Sequence, residues 1–165
     1  VIVLGIDPGS VKMGWSIVQV ETRKIIPVTY GVIRMSSKTP LFDRLCTIGE
    51  ELERILDTHQ PEAAGVEGVF QSTTKNLQSA LKLSHARGAA IMTIARRGIP
   101  VHEYPPAEVK KALTGSGRAD KIQVREMVRS ILGIRKIPAE DAADALAVAV
   151  CHGFREQIAI IGGRR

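Results

Sequence analysis

The chain opens on Val1-Ile2-Val3-Leu4-Gly5-Ile6-Asp7, an unbroken β-branched and apolar run that Pro8-Gly9-Ser10 ends in a turn. Such a run reads as a buried strand, and its acid sits where the chain leaves the sheet. Trp15 to Val20 and Thr29 to Met35 read as two further strands, and the polar stretch Glu21-Thr22-Arg23-Lys24 between them suggests an antiparallel meander. From Leu41 the period becomes helical. Leu41, Leu45, Ile48, Leu52 and Ile55 share one face, with Arg44, Glu51 and Arg54 away from it. After the break at Gln60-Pro61, Ala63-Ala64-Gly65-Val66-Glu67 is a short buried strand that again carries an acid near its end. Residues 68–75 read as a loop and 76–97 as a helix, whose small residues Ala80, Ser84 and Gly88 recur every four positions and would let it lie close against a sheet. Residues 99–104 form a fifth strand, and helices follow at about 107–113, 121–132 and 139–154. The expectation is one α/β domain over residues 1–155, a central five-stranded mixed sheet flanked by helices, with 156–165 as a C-terminal tail outside it.

Composition narrows the class of function. A hydrophobic share of 44% and a charged share of 24% are those of an ordinary soluble globular protein. No apolar run approaches the roughly 18 to 20 residues of a membrane helix, and no secretion-type leader opens the chain, so a cytoplasmic location is expected. Cys46 and Cys151 each sit in an apolar helical pattern, outside any zinc-like spacing, and read as reduced packing residues. The net charge of +6 is unevenly spread: residues 1–60 carry 7 Lys/Arg against 7 Asp/Glu, and residues 61–165 carry 16 against 10. That bias is compatible with a solvated surface and equally with phosphate contacts to a nucleic acid.

Four acids carry the chemistry. Asp7 and Glu67 end strands distant in sequence, and Asp141 and Asp144, three apart, fall on one face of the last helix. Carboxylates brought together raise one another's pKa, and divalent metals reverse that balance. All-oxygen ligands select hard ions such as Mg²⁺ or Mn²⁺, and two of them can activate a water and stabilise the leaving oxygen of a phosphodiester. Other roles are open for two of the acids: Asp7 as a turn residue, Asp141 as a charge in a helix's first turn. Asp144 lies within Ala142-Ala143-Asp144-Ala145-Leu146-Ala147, where an unpaired carboxylate would cost several kcal/mol. Glu67, after Ala63-Ala64-Gly65-Val66, raises the same objection.

Gly5-Ile6-Asp7-Pro8-Gly9-Ser10, Val66-Glu67-Gly68-Val69-Phe70, Ala80-Leu81-Lys82-Leu83 with Ala86-Arg87-Gly88, and Asp141-Ala142-Ala143-Asp144-Ala145-Leu146-Ala147 occur in this order. Together they resemble the successive signatures of the bacterial RuvC Holliday-junction resolvases, over about residues 1–154. The resemblance implies a ribonuclease-H-like fold, a homodimer, Mg²⁺-dependent nicking of two opposed strands of a four-way junction, and cooperation with the RuvA and RuvB branch-migration proteins. By position it implies that Asp7, Glu67, Asp141 and Asp144 are the catalytic, metal-holding carboxylates. It also implies that Phe70 is an aromatic inserted at the junction and that Lys110 and Lys121 are basic residues supporting cleavage. Some relatives have His where Asp141 stands. Gly68 occupies a position often polar in relatives, Gln71 supplies no second aromatic, and residues 158–165 resemble nothing assignable.

Phe70 stands in a polar stretch with Gln71, Ser72, Thr73, Thr74 and Lys75, where stacking on bases or folding back over the core would each account for it. Lys110, Lys111, Lys121 and Arg125 cluster around Gly115-Ser116-Gly117-Arg118, a density suited to backbone phosphates. His59, His85, His102 and His152 lack metal spacing among themselves; His152 reads as a packing or surface residue. Asp7-x-Gly9 with Gly14 also resembles the first phosphate loop of actin-like ATPases and sugar kinases, which close two such domains around a nucleotide. A junction-binding module without catalysis is the non-enzymatic alternative. Cleavage with and without Mg²⁺ separates the three.

Overall fold

The computed structural model describes residues 1–68, 76–136 and 139–163. At the centre of its sheet lies β1 (Ile2–Asp7), between β2 (Lys12–Val20) and β4 (Ala63–Glu67), with β3 (Ile25–Arg34) and β5 (Val101–Tyr104) at the edges. The first three strands are antiparallel neighbours, and β1, β4 and β5 run parallel. The sheet is therefore five-stranded and mixed, as expected. β2 and β3 reach further than their apolar runs, because the hairpin ladder continues to the register pairs Lys12↔Arg34 and Val20↔Ile25.

Strand alternation sends side chains to two layers. Leu4, Ile6, Met13 and Ile17 face α1 (Leu41–His59) and α2 (Leu77–Arg96), in a core with Ile48, Leu52, Ala90 and Ile94. Val3, Val18 and Val20 face the other way, toward α3 (Pro106–Thr114), α4 (Lys121–Leu132) and α5 (Glu140–Ile161). The last of these helices is apolar nearly all round, since the sheet covers one side of it and α3 and α4 the other; Leu146, Val148 and Val150 are wholly or almost wholly buried. His152 is fully buried too, hydrogen-bonded through Nδ1 to the Tyr104 hydroxyl at 2.6 Å, which makes it a packing residue and not a surface one. No described helix is long and apolar enough to cross a membrane.

Four expectations need correction. The final helix runs to Ile161, through residues expected to form the tail: Glu156 is buried and Gln157 donates to the Glu21 carbonyl at 2.9 Å, so the β2–β3 hairpin supports the extra turns. Arg44 is only 4% exposed, because its Nη1 donates to the Ser10 carbonyl at 2.6 Å, inside the turn that follows β1. The second helix meets the core through Ala86, Ala90, Thr93 and Ile94, while Ser84 and Gly88 face outward with open space around Gly88. Cys46 is exposed, so only Cys151 packs.

Candidate active site

Asp7 and Glu67 end adjacent parallel strands whose preceding residues, Ile6 and Val66, are register partners. Both follow the parity of Gly5 and Gly65 and so face α5. That helix approaches the sheet with almost no gap. A Cβ on Gly14 would lie 1.9 Å from the Asp141 carbonyl oxygen, and one on Gly5 would lie 2.3 Å from that of Ala145. Ser16, fully buried, donates its hydroxyl to the Ala145 carbonyl at 2.9 Å and pins the helix there. Glycines and a serine on the central strands thus bring the first turns of α5, with Asp141 and Asp144, over the strand ends carrying Asp7 and Glu67.

The electrostatics show how closely the four meet. Burial pushes the Asp7 carboxyl up to about 9, helped by the charges of Glu67 and Asp144, by a hydrogen bond with Glu67, and by the charge of Asp141. Glu67 is raised by burial and by Asp144, against the hydrogen bond from Asp7 and the attraction of Lys121 and Lys110. Asp144 is raised by burial, with Lys121 and Arg125 pulling the other way. Without a cation the Asp7–Glu67 pair therefore holds a proton far above the ordinary carboxylate range. Among the described residues no three His, Cys, Asp or Glu side chains are grouped tightly enough to cage a metal as they stand. The donor set nonetheless fits a hard divalent cation: it is all oxygen and mutually repelling, and Mg²⁺ keeps several waters of its own and needs few protein ligands.

Beside the carboxylates lies a cavity of about 230 Å³, lined by Glu67, Lys110, Lys121 and Asp144 together with Val109 and Val124. Lys110 comes from α3, and Lys121 is the first residue of α4, fixed by the Asp120–Gln123 capping box. Lys121 Nζ lies 2.6 Å from Glu140 Oε1 and 3.8 Å from Asp144 Oδ2; the Glu140 hydrogen bond is the main cause of its raised pKa, and Asp144 adds to it. Arg125, one helical turn on, reaches Glu140 at 3.3 Å. Sequence reasoning assigned Arg125 no individual role, although its spacing of four from Lys121 puts both on one face. Phe70, with the rest of its 69–75 stretch, lies outside the described residues.

Residues 3–152 match the family model described as crossover junction endodeoxyribonuclease RuvC. The chain is 49% identical over 150 residues to the crossover junction endodeoxyribonuclease RuvC of Magnetococcus marinus, covering 91% of this chain and 82% of that protein. Its structure is similar to that of Thermus thermophilus RuvC, with a TM-score of 0.87 at 36% identity over 96% of each chain. It is likewise similar to T. thermophilus RuvC in complex with Holliday junction substrate, with a TM-score of 0.86 at 33% identity, again over 96% of each. The fold is accordingly ribonuclease-H-like, as the resemblance implied.

Proposed function

The chain belongs to the RuvC family of crossover junction endodeoxyribonucleases, and from that premise we propose that it resolves Holliday junctions by metal-dependent, paired nicking of two opposed strands during recombination and repair. One observation carries the reading: Asp7, held at about 9 by burial and by three neighbouring acids, needs positive charge beside it to ionise at neutral pH. Asp7, Glu67, Asp141 and Asp144 are the residues that would hold divalent cations, two per site, with Mg²⁺ native and Mn²⁺ able to substitute. Bound there, such ions supply a more acidic water and charge compensation at the leaving oxygen. The protein's own part is positioning. The strand ends and α5 set the carboxylates, and Lys110 and Lys121 hold DNA phosphates against them. Phe70 stacks where base pairs open.

A four-way junction has two-fold character, so the active form is a homodimer. Its surface is the outer stripe of α2, where Leu77 (75% exposed), Leu81 and Met92 stand in line with Ser84 and Gly88. RuvA and RuvB are its expected collaborators, in the cytoplasm. The deciding experiment offers a four-way junction, a Y-fork and linear duplex in one mixture, with and without Mg²⁺. Metal-dependent nicking of the junction in preference to the others is expected. Metal-independent cutting, or equal cutting of linear duplex, overturns the proposal.

A further inference from the structure

The basic residues proposed above to meet DNA line the cavity on the β4 side of the carboxylates. A second basic set stands on the other side. Lys12 begins β2, Arg34 ends β3, and the two are directly opposed in the antiparallel register, where like charges repel. Both share the face that α5 covers, since Gly14, two residues on from Lys12, meets the Asp141 backbone. Between the β3 edge and the start of α5 runs a groove of about 420 Å³, with Tyr30, Arg34, Lys136, Ala139 and Ala142 in its walls. Lys12, Arg34 and Lys136 are all exposed, and among the described residues none is in an ion pair.

The acids closest in sequence to this groove are engaged elsewhere. Glu140 holds Lys121 at 2.6 Å and Arg125 at 3.3 Å, and Asp141 bears on Asp7 and Asp144. The helix itself starts at the groove with no side-chain cap on its first N–H groups, which adds a partial positive charge. Three cations, two of them forced together, and an uncapped helix start make a concave surface that lacks only an anion.

A strand whose phosphate lies over Asp7 and Asp144 continues in both directions. Toward β4 it meets Lys110 and Lys121; toward β3 it meets this groove. We propose that the groove is a second phosphate track, holding the DNA backbone on the side of the cut away from Lys110 and Lys121. The proposal rests on the junction-nuclease reading, and its ligand class is a run of DNA phosphodiesters.

The test measures junction binding in Ca²⁺, as a function of salt, for an Arg34→Glu/Lys136→Glu variant. An Arg23→Glu/Lys24→Glu variant, altered at the far end of the β2–β3 hairpin, changes net charge equally and serves as the control. The groove variant is expected to bind at least tenfold more weakly, with its log K against log salt slope reduced by about two, roughly one per lost phosphate contact; the control stays within twofold of wild type. Arg34→Lys/Lys136→Arg should restore most of the affinity, which excludes misfolding as the cause. A junction with neutral methylphosphonate linkages on one side of the cut adds a direct readout. Wild type should lose affinity for it and the groove variant should not, while both remain sensitive to neutral linkages on the other side. Equal salt slopes in groove and control variants, or unchanged sensitivity to the neutral linkages, overturns the proposal. Nicking of the unmodified junction by wild type in Mg²⁺ is scored alongside. If wild type binds without nicking, the nuclease reading fails and the salt slope still judges the groove; if wild type does not bind DNA, both fall.

Discussion

A carboxyl held at about 9 in the folded chain, against an ordinary 3.8, costs stability at neutral pH. The folded protein keeps a proton that the unfolded chain has released, so stability is greatest below about pH 4 and falls as pH rises toward 9. At pH 7 the loss is on the order of 3 kcal/mol, the part of the 1.36 kcal/mol per pK unit that survives coupling to Glu67. Asp7→Asn should therefore raise the melting temperature of metal-free protein by several degrees at pH 8 and by little at pH 4.5, read from thermal melts in EDTA. Mg²⁺ should stabilise wild type and leave the variant almost unmoved. A variant that melts below wild type at pH 8 contradicts both the raised carboxyl and the cation site. The same change, like Glu67→Gln or Asp144→Asn, should abolish junction cutting with binding retained, since a metal ligand is lost and the phosphate contacts are not. Wild-type cutting by any one of them removes that residue from the site. Phe70→Ala should bind and cut poorly, with Phe70→Trp recovering much of the rate; full activity of the alanine variant favours the alternative in which the ring covers the core.

The site depends on how closely one helix can lie on two strands. A methyl on Gly14 would have to push the Asp141 backbone away from β2, and one on Gly5 would push that of Ala145. Overpacking of this kind costs roughly 1–3 kcal/mol or more, and here it also moves two carboxylates away from the other two. Gly14→Ala should lower unfolding free energy by about 3 kcal/mol in urea and reduce cutting a hundredfold or more; Ser16→Ala, which removes one buried hydrogen bond, should cost about 1–2 kcal/mol and leave measurable cutting. Equal activity of Gly14→Ala and wild type would mean that the helix is not held as described. Part of this was legible in the sequence. The apolar runs ending in Asp7 and Glu67 mark strand ends, and an acid inside Ala142–Ala147 can only be held over something that needs it. The close approach was not legible, because Gly5, Gly14 and Ser16 declare their role only when β1, β2 and α5 are stacked. Arg44 was misjudged for the same reason. Helical periodicity places it off the apolar face, yet the turn after β1 folds back to offer the Ser10 carbonyl. The small residues of α2 were read as a sheet contact because periodicity marks a face without saying what covers it.

At the scale of the whole molecule, one set of four carboxylates can process one phosphodiester at a time, so resolving a junction takes two sets that meet the same DNA before it dissociates. A monomer would leave the junction nicked and still joined. The outer stripe of α2 gives the chain a means of pairing: Leu77, Leu81 and Met92 are 75%, 47% and 54% exposed, an apolar line that is costly to leave in water and that a two-fold axis would bury against its own copy. Leu81→Glu should therefore yield a folded monomer by sedimentation, with cutting of a cruciform reduced at least tenfold. Retention of the dimer would move the interface to another face. Pairing also sets the salt dependence, since each subunit brings +6 before any metal is bound and the contacted phosphates add across two subunits. Mixed dimers of wild type and Asp7→Asn separate two independent sites from one shared site. With independent sites, a heterodimer nicks one strand of a supercoiled cruciform and leaves an open circle, whereas the wild-type homodimer linearises it. Linear product from heterodimers at the wild-type rate would mean that one site reaches both strands in turn, and the argument that two-fold DNA requires a two-fold enzyme would fail.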